Sequence, residues 1–290
     1  MKFIIDFPGQ TCNRLWSYLD NVAWAILHKK NLYIIHWDTS IKHFDNLRKH
    51  KNVKFPFYSR LFIKIFGEKK IQILLQKVFN NKLLVKLYKH NISHRLGFIK
   101  GWEYRNSDLY HPVIKDEIIK IFSPNDYIIN DILPEFLKFK NDNYFIIGVH
   151  IRRGDYKTFA EGKYYYDDDI YIKYMNQLLQ LYHNKKVIFF ISSNESFNEF
   201  KYKDFNILRT DSPTDIHDLY ALSLCHRIIG PLSTFSRWAS FIGNVPLCFI
   251  EPAQTIIQDK DFSVITSFYR FENNKEISNL TDPKDDWYYR

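Results

Sequence analysis

The chain has 290 residues, 46% of them hydrophobic and 18% aromatic, and its formal net charge is +9. This composition is typical of a globular protein of one or two domains and excludes an intrinsically disordered chain. An acid follows the first apolar residues, Phe3–Ile5, and no uncharged apolar run approaches the roughly 18 residues of a membrane span, so we expect no signal peptide, no membrane-spanning helix and a cytoplasmic protein.

The chain opens with the alternating pattern of a Rossmann-like unit. The expected elements are a strand, a helix and a second strand, at Lys2–Phe7, about Asn13–His28 and Leu32–Trp37. In the loop before the helix, Gly9 permits close approach of a ligand to the backbone, and Asn13 and Arg14 lie where the first helical turn faces that ligand. We therefore predict that these three residues bind substrate, although the loop lacks the glycine pattern of a dinucleotide site.

Residues 41–100 form a basic amphipathic segment. They contain 15 Lys and Arg against two acids, a net charge of +13, whereas the rest of the chain sums to −4. Apolar residues recur at helical spacing between the lysines. One interpretation is a helix that binds an anionic membrane peripherally, at the inner face of the cell membrane. The other is a helix that packs on the core and leaves its basic face in solvent.

A polar, charged stretch at 138–143 predicts a linker, after a helix near Lys115–Phe122. From there strands and helices alternate. The expected strands are Tyr144–His150, Val187–Ile191, Arg227–Ile229 and Val245–Ile250, and the expected helices are Asp168–His183, Asp215–Cys225 and Phe235–Gly243. Alternation of this kind implies parallel sheets. We therefore predict an α/β protein of two Rossmann-like domains, residues 1–140 and 141–290, that face a cleft.

The first of these strands ends in a concentration of charge. It delivers His150, Arg152, Arg153 and Asp155 to the carboxyl edge of the sheet, which is where parallel α/β folds bind their ligands. Guanidinium groups there need an anionic partner, because an unpaired buried charge is costly. A phosphate-bearing ligand supplies one, since the planar fork of arginine matches phosphate oxygens. The alternative is that an arginine pairs with Asp155 or a more distant carboxylate and braces the loop.

The ends of two later strands also carry polar residues. One supplies two serines, an amide and a carboxylate, groups that suit a nucleobase edge or a simple polar turn. The other is followed by Gly-Pro and a helix that opens with hydroxyl residues, where free N–H groups bind anions or a serine is a plain N-cap. On the preceding helix, the sequence leaves open whether Asp218 has a structural or a functional role. The predicted substrate-binding residues of this part are Asn194, Asp218, Ser233, Thr234 and Ser236.

We expect no metal site. Cys12, Cys225 and Cys248 are widely spaced and match neither a disulfide framework nor a zinc pattern, so we expect buried free thiols. Carboxylate runs such as Asp167–Asp169 hold divalent cations on nucleotide sugars in some proteins. Acids at the start of a helix also complement its dipole, and we prefer that interpretation here.

Three motifs, in this order and spacing, resemble the bacterial α-1,2-fucosyltransferase family and its wider superfamily of α-1,6- and O-fucosyltransferases. The first motif of that family, H-x-R-R-G-D, is matched in full at His150–Asp155. The second, an apolar strand that ends in serine and acidic or amide residues, resembles Phe189–Glu195. The third, D-L-x-x-(M/L)-S-x-C-(K/H)-x-I-I followed by S-S/T-F-S-x-W, is matched by Asp218–Ile229 and Ser233–Trp238. A glycine-rich N-terminal loop corresponds more loosely to Gly9–Arg14.

The resemblance implies a GT-B fold and a metal-independent, inverting α-1,2-fucosyltransferase whose substrates are GDP-fucose and a glycan, with no further cofactor. It implies that Arg152 stabilises the diphosphate leaving group, that Asp155 or Glu161 takes the proton of the acceptor hydroxyl, and that His150 and Arg153 bind substrate. The alternatives are another donor sugar or linkage on the same scaffold, or a membrane-surface binding protein with a degenerate nucleotide cleft. Nucleic acid is not an expected partner, and the sequence makes no prediction of the oligomeric state.

Overall fold

The computed structural model describes residues 1–4, 8–35, 39–56, 61, 65–66, 70, 97–105, 108–196, 198–210, 214–251, 256–273 and 275–277. Its contacts divide the chain into two compact units, one containing Met1–Asn125 and the other Asp126–Thr281. The predicted linker at 138–143 is instead mostly the end of a helix, Asp126–Asn141. That helix forms because Ile128, Ile132 and Phe136 recur every four residues and are buried on one face.

Unit 1 contains a four-stranded sheet whose strands follow the order β3-β2-β1-β4. These strands are β1 (Lys2–Ile4), β2 (Leu32–Ile34), β3 (Val53–Lys54) and β4 (Gly97–Ile99), and all described pairings are parallel. The helices with both ends among the described residues are α1 (Thr11–Leu27), α2 (Asp45–Lys49) and α3 (Lys115–Ile121), with 3-10 helices at Thr39–His43, Gly101–Tyr104 and His111–Ile114. The predicted β-α-β opening is therefore confirmed. Apolar residues of α1, among them Leu15, Trp16 and Val22, are fully buried.

Most of the basic amphipathic segment, including Lys69, Lys77 and Lys82, lies outside the described residues. Its two interpretations therefore stay predictions. Within the described part of the chain, no helix combines the length and hydropathy needed to cross a membrane.

Unit 2 contains a five-stranded parallel sheet in the order β7-β6-β5-β8-β9. These strands are β5 (Tyr144–Ile151), β6 (Lys186–Ser193), β7 (Ile207–Leu208), β8 (Arg227–Gly230) and β9 (Leu247–Phe249), and a short antiparallel pair follows, β10 (Ile265–Ser267) with β11 (Arg270–Phe271). The helices are α4 (Asp126–Asn141), α5 (Asp168–Leu181), α6 (Asp215–Ser223) and α7 (Thr234–Gly243). The predicted strands and helices are confirmed, with ends that shift by a few residues, whereas β7, β10 and β11 are not among the predicted elements.

The core of unit 2 lies on both faces of β5, which explains the unbroken apolar run of that strand. On one face Ile147, Val149 and Ile151 join a buried cluster with Tyr174 and Leu178 of α5. Each such side chain contributes roughly 1.5–3 kcal/mol when fully buried. On the other face α4 packs on the sheet through an aromatic contact of 5.4 Å between ring centroids. The central strand is thus rigidly held, and so is the point at which it ends.

Candidate active site

The ends of β5, β6 and β8 bring the three sequence motifs to one edge of the sheet in unit 2. His150 and Ile151 of β5 lie beside Ser192 and Ser193 of β6, in parallel register. On the other side β5 pairs with β8, which ends at Gly230. Carboxyl ends of parallel strands share an edge, so the loops that follow them converge there.

Arg152 is held by a carboxylate of its own loop. Its Nη2 atom lies 2.8 Å from Oδ1 and 2.9 Å from Oδ2 of Asp155. The arginine side chain is 14% exposed and the aspartate side chain 56% exposed. The guanidinium carbon lies 5.5 Å from the ring centroid of Tyr156. Asp155, predicted as a catalytic base or as a brace, is therefore found in the bracing position, and the pair fixes a guanidinium at the sheet edge.

Arg153 faces α5 and has a different set of contacts. It donates from Nη2 to Oδ1 of Asp168 and from Nε to the carbonyl oxygen of Tyr166 at 3.1 Å. Both partners of the ion pair are largely buried, at 14% and 11% exposure. The structure thus brings Arg153, predicted to bind substrate, into a structural pair, because Asp168 begins the helix that covers this face of the sheet.

Asp168 accepts from several donors at once. Besides Arg153, the hydroxyl of Tyr202 donates to Oδ1 at 2.9 Å and Nζ of Lys201 lies 2.9 Å from Oδ2. Burial acts to raise the pKa of Asp168, but the hydrogen bonds from Arg153 and Lys201 outweigh it and lower the pKa to about 2. The carboxylate is therefore ionised at neutral pH, and it ties the Arg153 side chain to the body of unit 2.

Two side chains after β6 hold the backbone of the loop after β5. The N–H of Arg153 donates to Oδ1 of Asn194 at 2.8 Å, and the N–H of Gly154 donates to Oε1 of Glu195 at 2.9 Å. Gly154 has φ +54, a left-handed conformation that glycine adopts without steric cost. The sequence predicts that Asn194 binds substrate, with a simple polar turn as the alternative. In this structure its carbonyl oxygen is used on the backbone of the neighbouring loop.

His150 is neutral and almost fully enclosed, with 3% exposure. Its ring packs against Phe235 at 4.9 Å between centroids. Gly230 lies on its other side, where a Cβ atom would approach the carbonyl oxygen of His150 to 2.9 Å. Burial, with a smaller contribution from the charge of Arg152, lowers the pKa of His150 to about 3. Among the described residues its Nδ1 atom has no hydrogen-bond partner.

The start of α7 lies next to the loop that carries Arg152. The hydroxyl of Tyr156 donates to the carbonyl oxygen of Leu232 at 2.9 Å, which joins the two segments directly. Ser233 is the N-cap, and its Oγ accepts from the N–H of Phe235 at 3.2 Å. The positive end of the α7 dipole is therefore close to the first motif.

The hydroxyl residues of α7 differ in their access to a ligand. Ser236 is fully buried and donates to the carbonyl oxygen of Ser233 at 3.3 Å, within the first turn of the helix. Thr234, the first residue of the helix, is partly exposed. Of the three predicted hydroxyl residues, Thr234 is thus the most accessible and Ser233 has the structural N-cap role that was its alternative.

Asp218 also lies at this edge, on α6. Its Oδ1 accepts from the hydroxyl of Thr210 at 3.1 Å. Burial raises the pKa of Asp218, against the lowering effect of hydrogen bonds from Ser192 and Thr210. The N-cap of α6 is Thr214.

Glu161 lies in a loop of unusual backbone conformation. It is exposed, and Ala160, Glu161 and Gly162 have successive φ values of +47, +57 and +79. A left-handed conformation costs a non-glycine residue about 1–2 kcal/mol. Such strain is most often found at functional sites. Among the described contacts, none joins Glu161 to another predicted site residue.

The predicted substrate-binding residues of unit 1 form a closed turn before α1. Nη2 of Arg14 donates to the carbonyl oxygen of Gly9 at 2.8 Å, and Gly9 has φ +35. The carbonyl oxygen of Asn13 accepts from the hydroxyl of Ser17 at 2.8 Å. Arg14 is buried, so its hydrogen bond shapes the loop, and contact of these residues with substrate stays a prediction.

The acidic triplet starts a helix, as predicted. Asp167 is the N-cap of α5 and its side chain accepts from the N–H of Ile170 at 3.1 Å. Cys12, Cys225 and Cys248 are free and buried, which confirms that prediction. Within the described ranges, no group of three His, Cys, Asp or Glu side chains is arranged to hold a metal ion.

Sequence reasoning missed two residues that organise this site. Asp168 was interpreted only through the helix dipole, and Glu195 only as a polar group next to Asn194. The signal for Asp168 was the second arginine of the motif, which needed a carboxylate within reach. The signal for Glu195 was the glycine after that arginine, whose N–H group required an acceptor.

The sequence model described as Glycosyl transferase family 11 matches residues 42–267. The fold is similar to that of the fucosyltransferase NodZ from Bradyrhizobium, with a TM-score of 0.56 and 15% identity over 89% of this chain and 98% of that chain. It is also similar to a variant of FUT1 from Arabidopsis thaliana in complex with GDP, with a TM-score of 0.55 and 12% identity over 92% and 74% of the two chains. POFUT1 in complex with GDP-fucose has a TM-score of 0.51 and 12% identity, over 86% and 97%. These likenesses confirm the predicted α/β, GT-B fold class. A comparison with curated protein sequences found no match to the chain.

Proposed function

The chain belongs to glycosyl transferase family 11, and from that premise we propose that it transfers fucose from GDP-fucose to a hydroxyl group of a glycan, with an α-1,2 linkage and inversion at the sugar carbon. The observation that carries this proposal is the complete H-x-R-R-G-D motif at the end of the central strand, with Arg152 held at the sheet edge beside the start of α7. The likeness in fold to three fucosyltransferases supports the choice of donor.

The proposed chemistry requires stabilisation of a leaving diphosphate. Breaking the bond between the sugar and the diphosphate builds negative charge on the leaving oxygens while the acceptor attacks the opposite face. Fixed donors aimed at that charge are the largest contribution available to the protein. Arg152 supplies a guanidinium fork, and the first N–H groups of α7 with the hydroxyl of Thr234 supply further donors. In this proposal these groups act in place of a metal ion.

The proposed general base is Glu161. The acceptor hydroxyl must lose its proton as it attacks, and a carboxylate within reach is expected. Asp155 is paired with Arg152 at 2.8 Å, and this pairing favours a bracing role for it. Glu161 is exposed, so its carboxylate is accessible to an acceptor, and it lies in a turn of left-handed backbone of the kind that clusters at active sites.

Nucleotide binding tests this proposal first. Calorimetric titration with GDP, UDP and CMP is expected to detect binding of GDP only, and binding weakened in Arg152→Ala. Incubation of the enzyme with GDP-fucose, GDP-mannose or UDP-galactose, each with a panel of soluble glycan acceptors, is then expected to yield a product from GDP-fucose alone, and the linkage of that product is read by NMR. Transfer from another donor would replace the donor assignment. Absence of GDP binding would refute the proposal.

The basic amphipathic segment is proposed to keep a cytoplasmic enzyme at an anionic membrane surface. The support for this comes from its charge pattern alone.

A further inference from the structure

The loop that carries Arg152 is fixed through its backbone, and the acceptors are the side chains of the two residues that follow β6. The ion pair of Arg152 with Asp155 is internal to the loop, three residues apart. It therefore orients the guanidinium relative to the loop and does not orient the loop relative to the sheet. The described bonds that do so on the β6 side are those of the Arg153 and Gly154 N–H groups, to Asn194 and Glu195, each 41 positions away in the chain.

The two acceptor residues, Asn194 and Glu195, act on adjacent backbone groups, and we call this pair of residues the β6 clamp. They hold consecutive N–H groups at 2.8 and 2.9 Å, directly after Arg152. The second falls on Gly154, where φ +54 turns the chain. A Cβ atom on Gly154 would lie 3.1 Å from Nδ2 of Asn194, so the clamp is also in tight contact with the turn.

We propose that Asn194 and Glu195 are positioning residues for Arg152. By accepting hydrogen bonds from two successive N–H groups, they fix the loop backbone and so the direction in which the Arg152 side chain extends from the edge of the sheet. This inference rests on the proposed function, in which Arg152 acts on the leaving diphosphate. Misplacement of such a group by about 1 Å costs on the order of a hundredfold in rate. The role depends on the side-chain oxygens as hydrogen-bond acceptors and does not depend on the negative charge of Glu195.

Paired substitutions separate acceptor from charge. Glu195→Ala removes the acceptor and is expected to lower kcat by roughly ten- to a hundredfold, with a smaller change in the KM for the donor, because the transition state needs Arg152 more than the ground state does. Glu195→Gln keeps an oxygen in place and is expected to retain at least about a third of the wild-type kcat. Asn194→Ala and Asn194→Asp form the equivalent pair. Glu199→Ala, an exposed glutamate four positions on, is the matched control and is expected to behave as wild type.

A double-mutant cycle identifies the route of the effect. If the clamp acts through Arg152, Glu195→Ala has little further effect on kcat in the background of Arg152→Ala, because the group it positions is already absent. Multiplication of the two single effects would overturn the proposal. Equal loss in Glu195→Gln and Glu195→Ala would overturn it as well, since charge would then be the property that matters.

Hydrogen exchange tests the clamp without any ligand and so separates this inference from the proposed function. Exchange at the Arg153 and Gly154 amides of the wild-type protein is expected to be slow, and at least tenfold faster at Gly154 in Glu195→Ala but not in Glu195→Gln. If the wild type fails to use GDP-fucose while this exchange pattern holds, the proposed function fails and the clamp stands. Unchanged exchange at Gly154 in Glu195→Ala refutes the clamp whatever the donor.

Discussion

Replacement of each of the two neighbouring arginines of the first motif by alanine is expected to affect a different property, catalytic activity for one and stability for the other. Arg152→Ala removes the charge proposed to stabilise the leaving diphosphate, a loss of about 3 kcal/mol or more in transition-state stabilisation and so at least a hundredfold in kcat/KM. Its ion pair with Asp155 involves a carboxylate that is 56% exposed. Because that carboxylate stays solvated when the guanidinium is removed, we expect a smaller loss in the free energy of unfolding than for Arg153→Ala.

Arg153→Ala is expected to act on stability instead. Its partner Asp168 is only 11% exposed, and loss of the guanidinium leaves that carboxylate with Tyr202 and Lys201 alone. Breaking a buried pair costs about 3–5 kcal/mol. The remaining donors offset part of this, so we expect about 2–3 kcal/mol, which corresponds to a fall in Tm of about 5–10 °C.

The assay measures both quantities on the same preparations. Thermal and denaturant unfolding give the stability of wild type, Arg152→Ala, Arg153→Ala and Arg152→Lys, and initial rates with GDP-fucose give kcat/KM at a temperature where all four are folded. Arg152→Lys keeps the charge but loses the planar fork, so it should recover little activity. Near wild-type turnover in Arg152→Ala, or an Arg153→Ala protein as stable as wild type, would refute the division of roles drawn from the contacts.

Four further outcomes are expected. The pKa of Asp168 is lowered from 3.8 to about 2, so its contribution to stability is complete above about pH 4 and is lost as pH falls towards 2. Asp168→Asn should therefore be less stable than wild type at pH 7 and should lack this part of the acid dependence, as measured by urea unfolding. Plots of unfolding free energy against pH that run parallel for the two proteins would contradict this expectation. Tyr156→Phe should lose about 1 kcal/mol of unfolding free energy through its bond to Leu232, and an unchanged denaturation midpoint would argue against that bond. Activity should persist in EDTA, and loss restored by Mn²⁺ would restore the metal interpretation of Asp167–Asp169. Co-sedimentation of the protein with vesicles should require anionic lipid and should weaken as salt is added. Substitution by glutamine of Lys69, Lys70, Lys77 and Lys82 should reduce the co-sedimentation and leave transfer to a soluble acceptor unchanged.

The elements and the location of the site could be predicted because they depend on local patterns. An apolar run without alternation marks a strand covered on both faces, and Tyr144–Ile151 is such a strand. The helix start at Asp167 follows from its capping chemistry. The polar stretch at 138–143 misled the same reasoning, because a helix anchored by the buried Ile128, Ile132 and Phe136, one turn apart, continues into it as far as Asn141.

The partners of the motif residues could not be predicted, because they are set by how strands pair and helices dock. Arg152 and Arg153 are adjacent and chemically identical, yet one lies at the sheet edge with Asp155 and the other is paired with Asp168, 15 positions away. The acceptors for the loop backbone come from the two residues that follow β6, 41 positions along the chain. The sequence by itself therefore determined the succession of strands and helices and the chemistry delivered to one edge of a sheet. Only the tertiary structure decided the carboxylate that pairs with each arginine, because helix docking places the buried Asp168 against Arg153, whereas Arg152 pairs with the exposed Asp155 of its own loop.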